Sequence, residues 1–421
     1  MNRFVFDHYA FDAEDYTAHF YYRFEDGRAF EETIAFERGS GYDEVTLDKA
    51  LFLAFMLIGV SYYKLFPSVE VNHGPLDDWQ AAFFDSVYQE GLGQFAYENE
   101  LTRSDLAHFV GGADSSTTAG DYKGSGLLVL QSGGKDSLLV AQLLREHDIS
   151  YVPWYLSSGA SHPAVLNDGA NPLQKAVRHI DIAQLKKGIE DGGLNGHVPI
   201  TYIVQSLAVV QAILLGKADI LVSIAHEGEE PHHHIDDLAI THQWSKTWGA
   251  EKQFAEYVTR YISPDIRIGS PLRAYSELYV AEQFVSHAWA SYGHEFSSCN
   301  VANYQQGNDN TTLKWCGNCP KCANSYLLFA PFVDSEQLQS LFAGQELFTK
   351  SSLERTFKGL LAVDGEPKPF ECIGEIDELR LAYHMAQERG GYESLPFDVP
   401  KSDFDYVKLY PAQDWAVKML Q

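Results

Sequence analysis

Three short stretches carry residue types at spacings that could do chemistry. The first is Ser132-Gly133-Gly134-Lys135-Asp136-Ser137. It follows the apolar run 127–131 and leads at once into a helical pattern, so it reads as a buried strand, a glycine turn and a helix start. Glycines let the backbone approach a ligand closely, first-turn N–H groups attract an anion, and Lys135 adds a cation. The second stretch is His226-Glu227-Gly-Glu-Glu-Pro-His232-His233-His234. Here Glu227 or His226 could serve as general base, or Glu227 could ligate magnesium. His232 to His234 show no helical i, i+4 pair and read as a solvated loop. The third is Cys316-Gly-Asn-Cys319-Pro-Lys-Cys322, with Cys299 upstream. Four thiolates, three of them on a tight knuckle, suit a closed structural zinc site. A redox pair or an iron–sulfur cluster are the other readings. Cys372 stands outside that set, as a buried apolar thiol or an acid/base group.

The elements that position these residues follow from the pattern. From residue 126 the chain alternates strand and helix: strands 127–131, 151–156 and 218–225, helices 137–146, 174–183 and 206–215. In open α/β sheets ligands sit beyond the carboxyl ends of the strands. That rule gathers Ser132–Ser137, Ser157 and the His226–Glu230 segment around one crevice, with Lys246, Arg267 and Arg273 as candidate cations for an anionic substrate. The first 110 residues read as an accessory α+β domain: an aromatic meander with an Asp26-Gly27 hairpin, then helices over 47–64 and 77–97, the latter broken near Gly91. A polar link over 111–120 leads into an α/β nucleotide domain at 121–295, followed by a cysteine-knuckle and helical region at 296–421.

Composition narrows the function. The net charge is −27. A broad nucleic-acid surface needs clustered Lys and Arg, so an acidic chain disfavours such a partner, whereas a small anionic substrate needs only a few cations in one cleft. The N-terminus lacks a signal-peptide pattern, the apolar run 51–60 is too short to cross a bilayer, and five cysteines do not make a disulfide framework. A cytoplasmic enzyme with no membrane partner is expected.

The loop is neither a Walker A motif, since Asp136 follows Lys135 and Val129 stands five before Gly134, nor a Rossmann fingerprint, which needs a third glycine. It resembles the Ser-Gly-Gly-x-Asp-Ser pyrophosphate loop of the adenine nucleotide α-hydrolase families. Such proteins cleave ATP to AMP and pyrophosphate, mostly to adenylate a substrate oxygen. The resemblance implies that Ser132, Gly133, Gly134, Lys135 and Ser137 hold the β and γ phosphates, with Asp136 near magnesium.

A cysteine knuckle downstream of this loop resembles 7-cyano-7-deazaguanine synthases, which are about half as long. A closer likeness, over nearly the whole chain, is to the MurL family of UDP-N-acetylmuramoyl-L-alanyl-L-glutamate epimerases. It rests on the aromatic meander, the loop, Asn195-Gly-His-Val-Pro-Ile, His242-Gln-Trp-Ser-Lys246, Ser270-Pro-Leu-Arg273-Ala-Tyr-Ser-Glu-Leu, Ser298-Cys299-Asn, the knuckle and Lys368-Pro-Phe-Glu-Cys372-Ile-Gly. It departs at Ile224-Ala-His-Glu, where a Ser-Asn-Glu-Arg-like strand end is expected. The resemblance implies inversion of the terminal L-Glu of UDP-MurNAc-L-Ala-L-Glu through an acyl-adenylate, with ATP and magnesium, and with His226, Glu227 or Cys372 moving the proton. The alternatives are another AMP-forming adenylating enzyme and a nucleotide-binding regulatory module.

Overall fold

The computed structural model describes residues 2–39, 41–112, 119–167, 171–235, 238–305 and 311–420, so most of the expected polar link at 111–120 lies outside the described residues. One mixed sheet of nine strands organises the chain. In chain order its strands are β1 (Phe4–Asp12), β2 (Thr17–Phe24), β3 (Ala29–Ala35), β4 (Val71–Asn72), β5 (Leu127–Leu130), β6 (Val152–Ser157), β7 (Gln174–His179) and β8 (Asp219–Leu221). A separate ribbon of β9 (His233–Ile235) and β10 (Leu238–Ile240) comes next, and β11 (Arg267–Gly269) completes the sheet. The spatial order is β11-β8-β5-β6-β7-β3-β2-β1-β4. The five strands from β11 to β7 are parallel, and β1 to β3 form the antiparallel meander, turned at Gly27 with φ +95°.

The meander is not set apart from the parallel strands. β3 pairs antiparallel with β7 through Thr33–His179, Ile34–Arg178 and Ala35–Val177. A buried ion pair, Arg178 Nε to Glu32 Oε1 at 2.6 Å, crosses that seam, and Tyr62 Oη donates to the other Glu32 oxygen at 2.8 Å. The boundary expected near residue 110 therefore does not divide the sheet. The same pairing corrects the helix expected at 174–183. Hydrogen-bonding partners on both sides draw 174–179 into a strand with Ala176 and Arg178 inward, a tertiary choice that overrides local propensity.

Alternation along the strands serves two cores. Leu128 and Ile220 face one, with α1 (Glu44–Ile58) and α3 (Ile200–Leu214) packed there. Leu127, Val129 and Leu221 face the other, covered by α2 (Lys135–Glu146), α4 (Glu277–Gln283), α5 (Pro320–Phe329) and α6 (Ile376–Arg389). Strands buried on both faces read as continuous apolar runs, as these do. The helical stretch Glu44–Tyr63 is long and apolar enough to cross a bilayer, and most of it is enclosed in the first core.

Candidate functional site

Numbered by themselves, the parallel strands run 3-2-1-4-5, with β5 first and β8 fourth. The strand order reverses between these two parallel neighbours, and the crevice beyond their carboxyl ends is where α/β sheets bind ligands. The Ser132–Ser137 turn follows β5, and the segment carrying Glu227 follows β8. A cavity of about 310 Å³ opens there, lined by Ser132, Lys135, Asp136, Glu227, Lys246, Glu277 and Lys321 among others.

The turn is built locally. Gly133 has φ +82°, and a Cβ placed on it would stand 2.4 Å from Leu313 Cδ1. Ser137 Oγ accepts from the Ser132 N–H at 3.2 Å and donates to Gly134 O at 3.2 Å, which closes the turn onto the first residues of α2. Gly133→Ala is expected to lower stability by about 1–2 kcal/mol from the left-handed backbone alone. Chemical denaturation reads this directly, and an unchanged midpoint would show that the turn can rearrange.

Lys135 is buried and bridges two carboxylates, with Nζ 2.6 Å from Asp136 Oδ1 and 2.6 Å from Glu277 Oε2. Burial opposes its charge, but Asp136 and Glu277 outweigh that and raise its pKa. Burial pushes the Glu277 carboxyl up to about 7, against the pull of Lys135. Across the cavity, Glu227 Oε2 lies 3.3 Å from Lys246 Nζ. Burial of Glu227 favours its neutral form, yet Lys246, Lys321, Lys135 and Arg273 together hold its pKa below the usual carboxylate value. Three buried polar atoms on cavity-lining residues have no partner among the described residues: Gln131 Nε2, Ser223 Oγ and Glu277 Oε1. Each such orphan costs about 1–3 kcal/mol unless something binds it.

The expected residues divide. Lys135, Asp136, Glu227 and Lys246 meet at the cavity. Cys372 lines a small chamber that shares Glu227, Gln243 and Lys246 with it, and burial raises its thiol pKa. His226 lines neither space. Its ring stacks on Tyr410 with centroids 3.5 Å apart, and burial, aided by Arg273 and Lys408, pulls it down to about 4. Arg267 sits at the amino end of β11, opposite the crevice, in a two-pronged pair with Asp219. Arg273 is fully buried and serves the scaffold: it donates to Glu251 at 2.8 Å, Ala225 O at 2.8 Å and Lys246 O at 2.7 Å. Ser157 Oγ is spent on Gly159 O and Ser161 O. The histidine run is not a solvated loop either, since His233 and His234 pair with Ile240 and Ala239, and His232 stacks on Phe370.

Glu277, Lys321 and Gln205 line the cavity without having been singled out in the sequence. Lys321 had the clearest signal, because it lies inside the cysteine knuckle. The knuckle holds it where Nζ donates to Cys372 O. Glu277 is the first residue of α4, whose Leu278 N–H is received by Glu378 Oε1 at 2.7 Å.

Burial pushes Glu378 from 4.5 up to about 8. The folded chain thus keeps a proton that the unfolded chain releases between these values. The associated stability is fully present below pH 4.5 and is lost as pH rises through about 8. Glu378→Gln is expected to flatten the decline of the thermal midpoint over this window. Parallel curves for the two proteins would remove Glu378 as the cause.

The four knuckle cysteines converge. Sγ separations are 3.7 Å for Cys299–Cys319, 3.7 Å for Cys316–Cys322 and 3.5 Å for Cys319–Cys322. Sulfurs at about 2.3 Å from one tetrahedral ion stand about 3.8 Å apart, so the group fits a single metal ion. Fe–S clusters spread their cysteines over several irons and suit this compactness poorly. A second group of potential ligands, His242, Glu371 and Cys372, has donor atoms within 4.8 Å of one another.

The fold and cavity define an α/β protein with a glycine turn at its switch point and a cleft of mixed charge, lined in part by Lys321, Asn324 and Ser325 of the cysteine-anchored C-terminal region. A family model described as the MurL N-terminal domain matches residues 1–270, and one described as the MurL C-terminal domain matches residues 295–397. The chain is 32% identical over 405 residues to the UDP-N-acetyl-alpha-D-muramoyl-L-alanyl-L-glutamate epimerase of Xanthomonas oryzae pv. oryzae, covering 93% of this chain and 87% of that one. It is 32% identical to the protein of the same description from Salinispora tropica, over 94% of this chain and 87% of the relative. The chain therefore belongs to the MurL family.

Proposed function

We propose that this protein epimerises the terminal L-glutamate of UDP-MurNAc-L-Ala-L-Glu to D-glutamate for peptidoglycan precursor synthesis, driven by ATP cleavage to AMP and pyrophosphate. The relatives' activity supports the reaction. The observation that carries the ATP requirement is the Ser132–Ser137 turn with its buried Lys135, opening on a cavity that leaves Glu277 Oε1, Ser223 Oγ and Gln131 Nε2 without partners among the described residues.

The chemistry explains why a nucleotide is needed. Removing the α-proton of a carboxylate builds a dianion. When a carboxylate oxygen attacks the α-phosphorus of ATP, pyrophosphate leaves and a mixed anhydride forms, whose α-proton is far more acidic. Lys135 and the turn N–H groups stabilise charge on the leaving pyrophosphate. Asp136 and Glu277 would hold magnesium, which would supply further neutralisation of the phosphates. Glu227, kept ionised by the surrounding lysines, takes the α-proton, and Lys246 stabilises the enolate oxygen. A proton from water returns on the opposite face, the Glu227 carboxylic acid gives its proton up to solvent, and water then cleaves the anhydride to the D-glutamyl carboxylate and AMP. The four-cysteine group would hold zinc as a structural ion, keeping Lys321 at the cavity.

The deciding experiment incubates the protein with ATP, Mg²⁺ and UDP-MurNAc-L-Ala-L-Glu, then resolves D- from L-Glu after hydrolysis and measures AMP. D-Glu with matching AMP is expected. D-Glu formed without ATP would overturn the adenylation, and no D-Glu would overturn the epimerase.

A further inference from the structure

We infer that His242, Glu371 and Cys372 form a second metal site, distinct from the four-cysteine group, for a zinc-class dication with one coordination position left open. The argument starts from a chain of hydrogen bonds. Glu98 carboxylate can only accept, and Gln94 Nε2 donates to its Oε1 at 2.7 Å. That fixes the Gln94 amide, so Gln94 Oε1 is the atom 2.7 Å from His242 Nδ1. An amide oxygen cannot donate, so His242 Nδ1 carries the proton. In the neutral ring His242 Nε2 presents a bare lone pair, and 3.8 Å away stands Glu371 Oε1, another acceptor, which also receives the Cys372 N–H at 3.0 Å. Cys372 Sγ completes a set of three donor atoms within 4.8 Å of one another.

Lone pairs facing a carboxylate in a largely buried chamber repel unless a cation lies between them. A histidine whose second ring nitrogen is bound to a carbonyl-type oxygen is the usual arrangement for a metal ligand. Bonds of about 2.0–2.3 Å to nitrogen, oxygen and sulfur need donors somewhat closer than 4.8 Å, so a bound ion would draw the three side chains together. Lys246 and Lys321 stand close enough to act on the Cys372 thiol, but each is shared with another acceptor. Lys246 is paired with Glu227, Lys368 with Glu230, and Lys321 donates to the Cys372 carbonyl oxygen. Three protein ligands leave a fourth position for water or a carboxylate, the pattern of a reactive rather than a structural centre. The chamber shares Glu227 and Lys246 with the main cavity, so that position adjoins it.

The test counts metal in the full-length, untagged protein after equilibration with buffered zinc and removal of excess, by atomic emission, with thermal melts confirming that each variant is folded. The unaltered chain is expected to hold two equivalents. His242→Gln and Cys372→Ser should each retain one, as should Cys316→Ser through loss of the other site. One equivalent in the unaltered chain, undiminished in His242→Gln and Cys372→Ser, would overturn the site. The count needs no turnover, so its failure leaves the epimerase reading standing and failure of the epimerase assay leaves the count intact.

Discussion

Asp136→Asn is expected to reduce substrate-dependent AMP release by about 10²–10³-fold or more, the scale on which loss of one preorganised charge contact slows charge-developing chemistry. The substitution preserves shape but removes the charge that holds Lys135 Nζ at 2.6 Å from one side. Lys135 would then be drawn to Glu277 alone, on the opposite side of its present bridge. The loss should fall on the rate rather than on folding, because Asp136 is only partly buried and Lys135 keeps its second partner. Chromatographic measurement of AMP decides the matter, with thermal melts as the control. A variant that is folded and within tenfold of the unaltered rate would remove the loop from the chemistry.

Arg273→Met is expected to destabilise the fold by about 3–5 kcal/mol, the cost of leaving a buried charge without its partner. Glu251 would lose the Nε contact at 2.8 Å, and the Ala225 and Lys246 carbonyls would lose their donors. Removing both charges in Arg273→Met/Glu251→Met should recover a large part of the loss, since the unpaired carboxylate is then gone. Denaturant melts of the single and double variants read this. Equal destabilisation of the two would show that packing, not charge pairing, sets the cost. Because Arg273 holds the backbone oxygen of Lys246 and that of Ala225, two residues before Glu227, residual folded protein should also be slow. A residue that reads as a substrate cation in the sequence thus acts by holding Glu227 and Lys246 in place.

Local physics made part of this protein legible. The Ser132–Ser137 turn depends on adjacent residues: apolar strand, positive-φ glycine, helix start. The cysteine knuckle is equally local for three of its four thiols, since Cys316, Cys319 and Cys322 lie within seven residues. The Asp26-Gly27 hairpin and the break near Gly91 follow in the same way from backbone preferences. For such features the interacting groups are neighbours in sequence, so residue type and spacing already contain the geometry.

Contacts between residues far apart in the chain arise only on folding. Glu277 reaches Lys135 across 142 positions, and Arg178 reaches Glu32 across 146. No local pattern carries such pairings. The first adds a carboxylate to the Ser132–Ser137 turn, and the second ties the meander to the parallel strands as one sheet. Arg267 and Arg273 look alike in sequence, six residues apart. Strand direction places Arg267 at the amino edge, away from the crevice, while burial turns Arg273 inward to three fixed partners. Residue types and spacing alone pick out the glycine turn and the thiols that could share an ion. Packing decided which charged side chains face the cavity, because an ionic group's role depends on the partners and water that the folded chain leaves it.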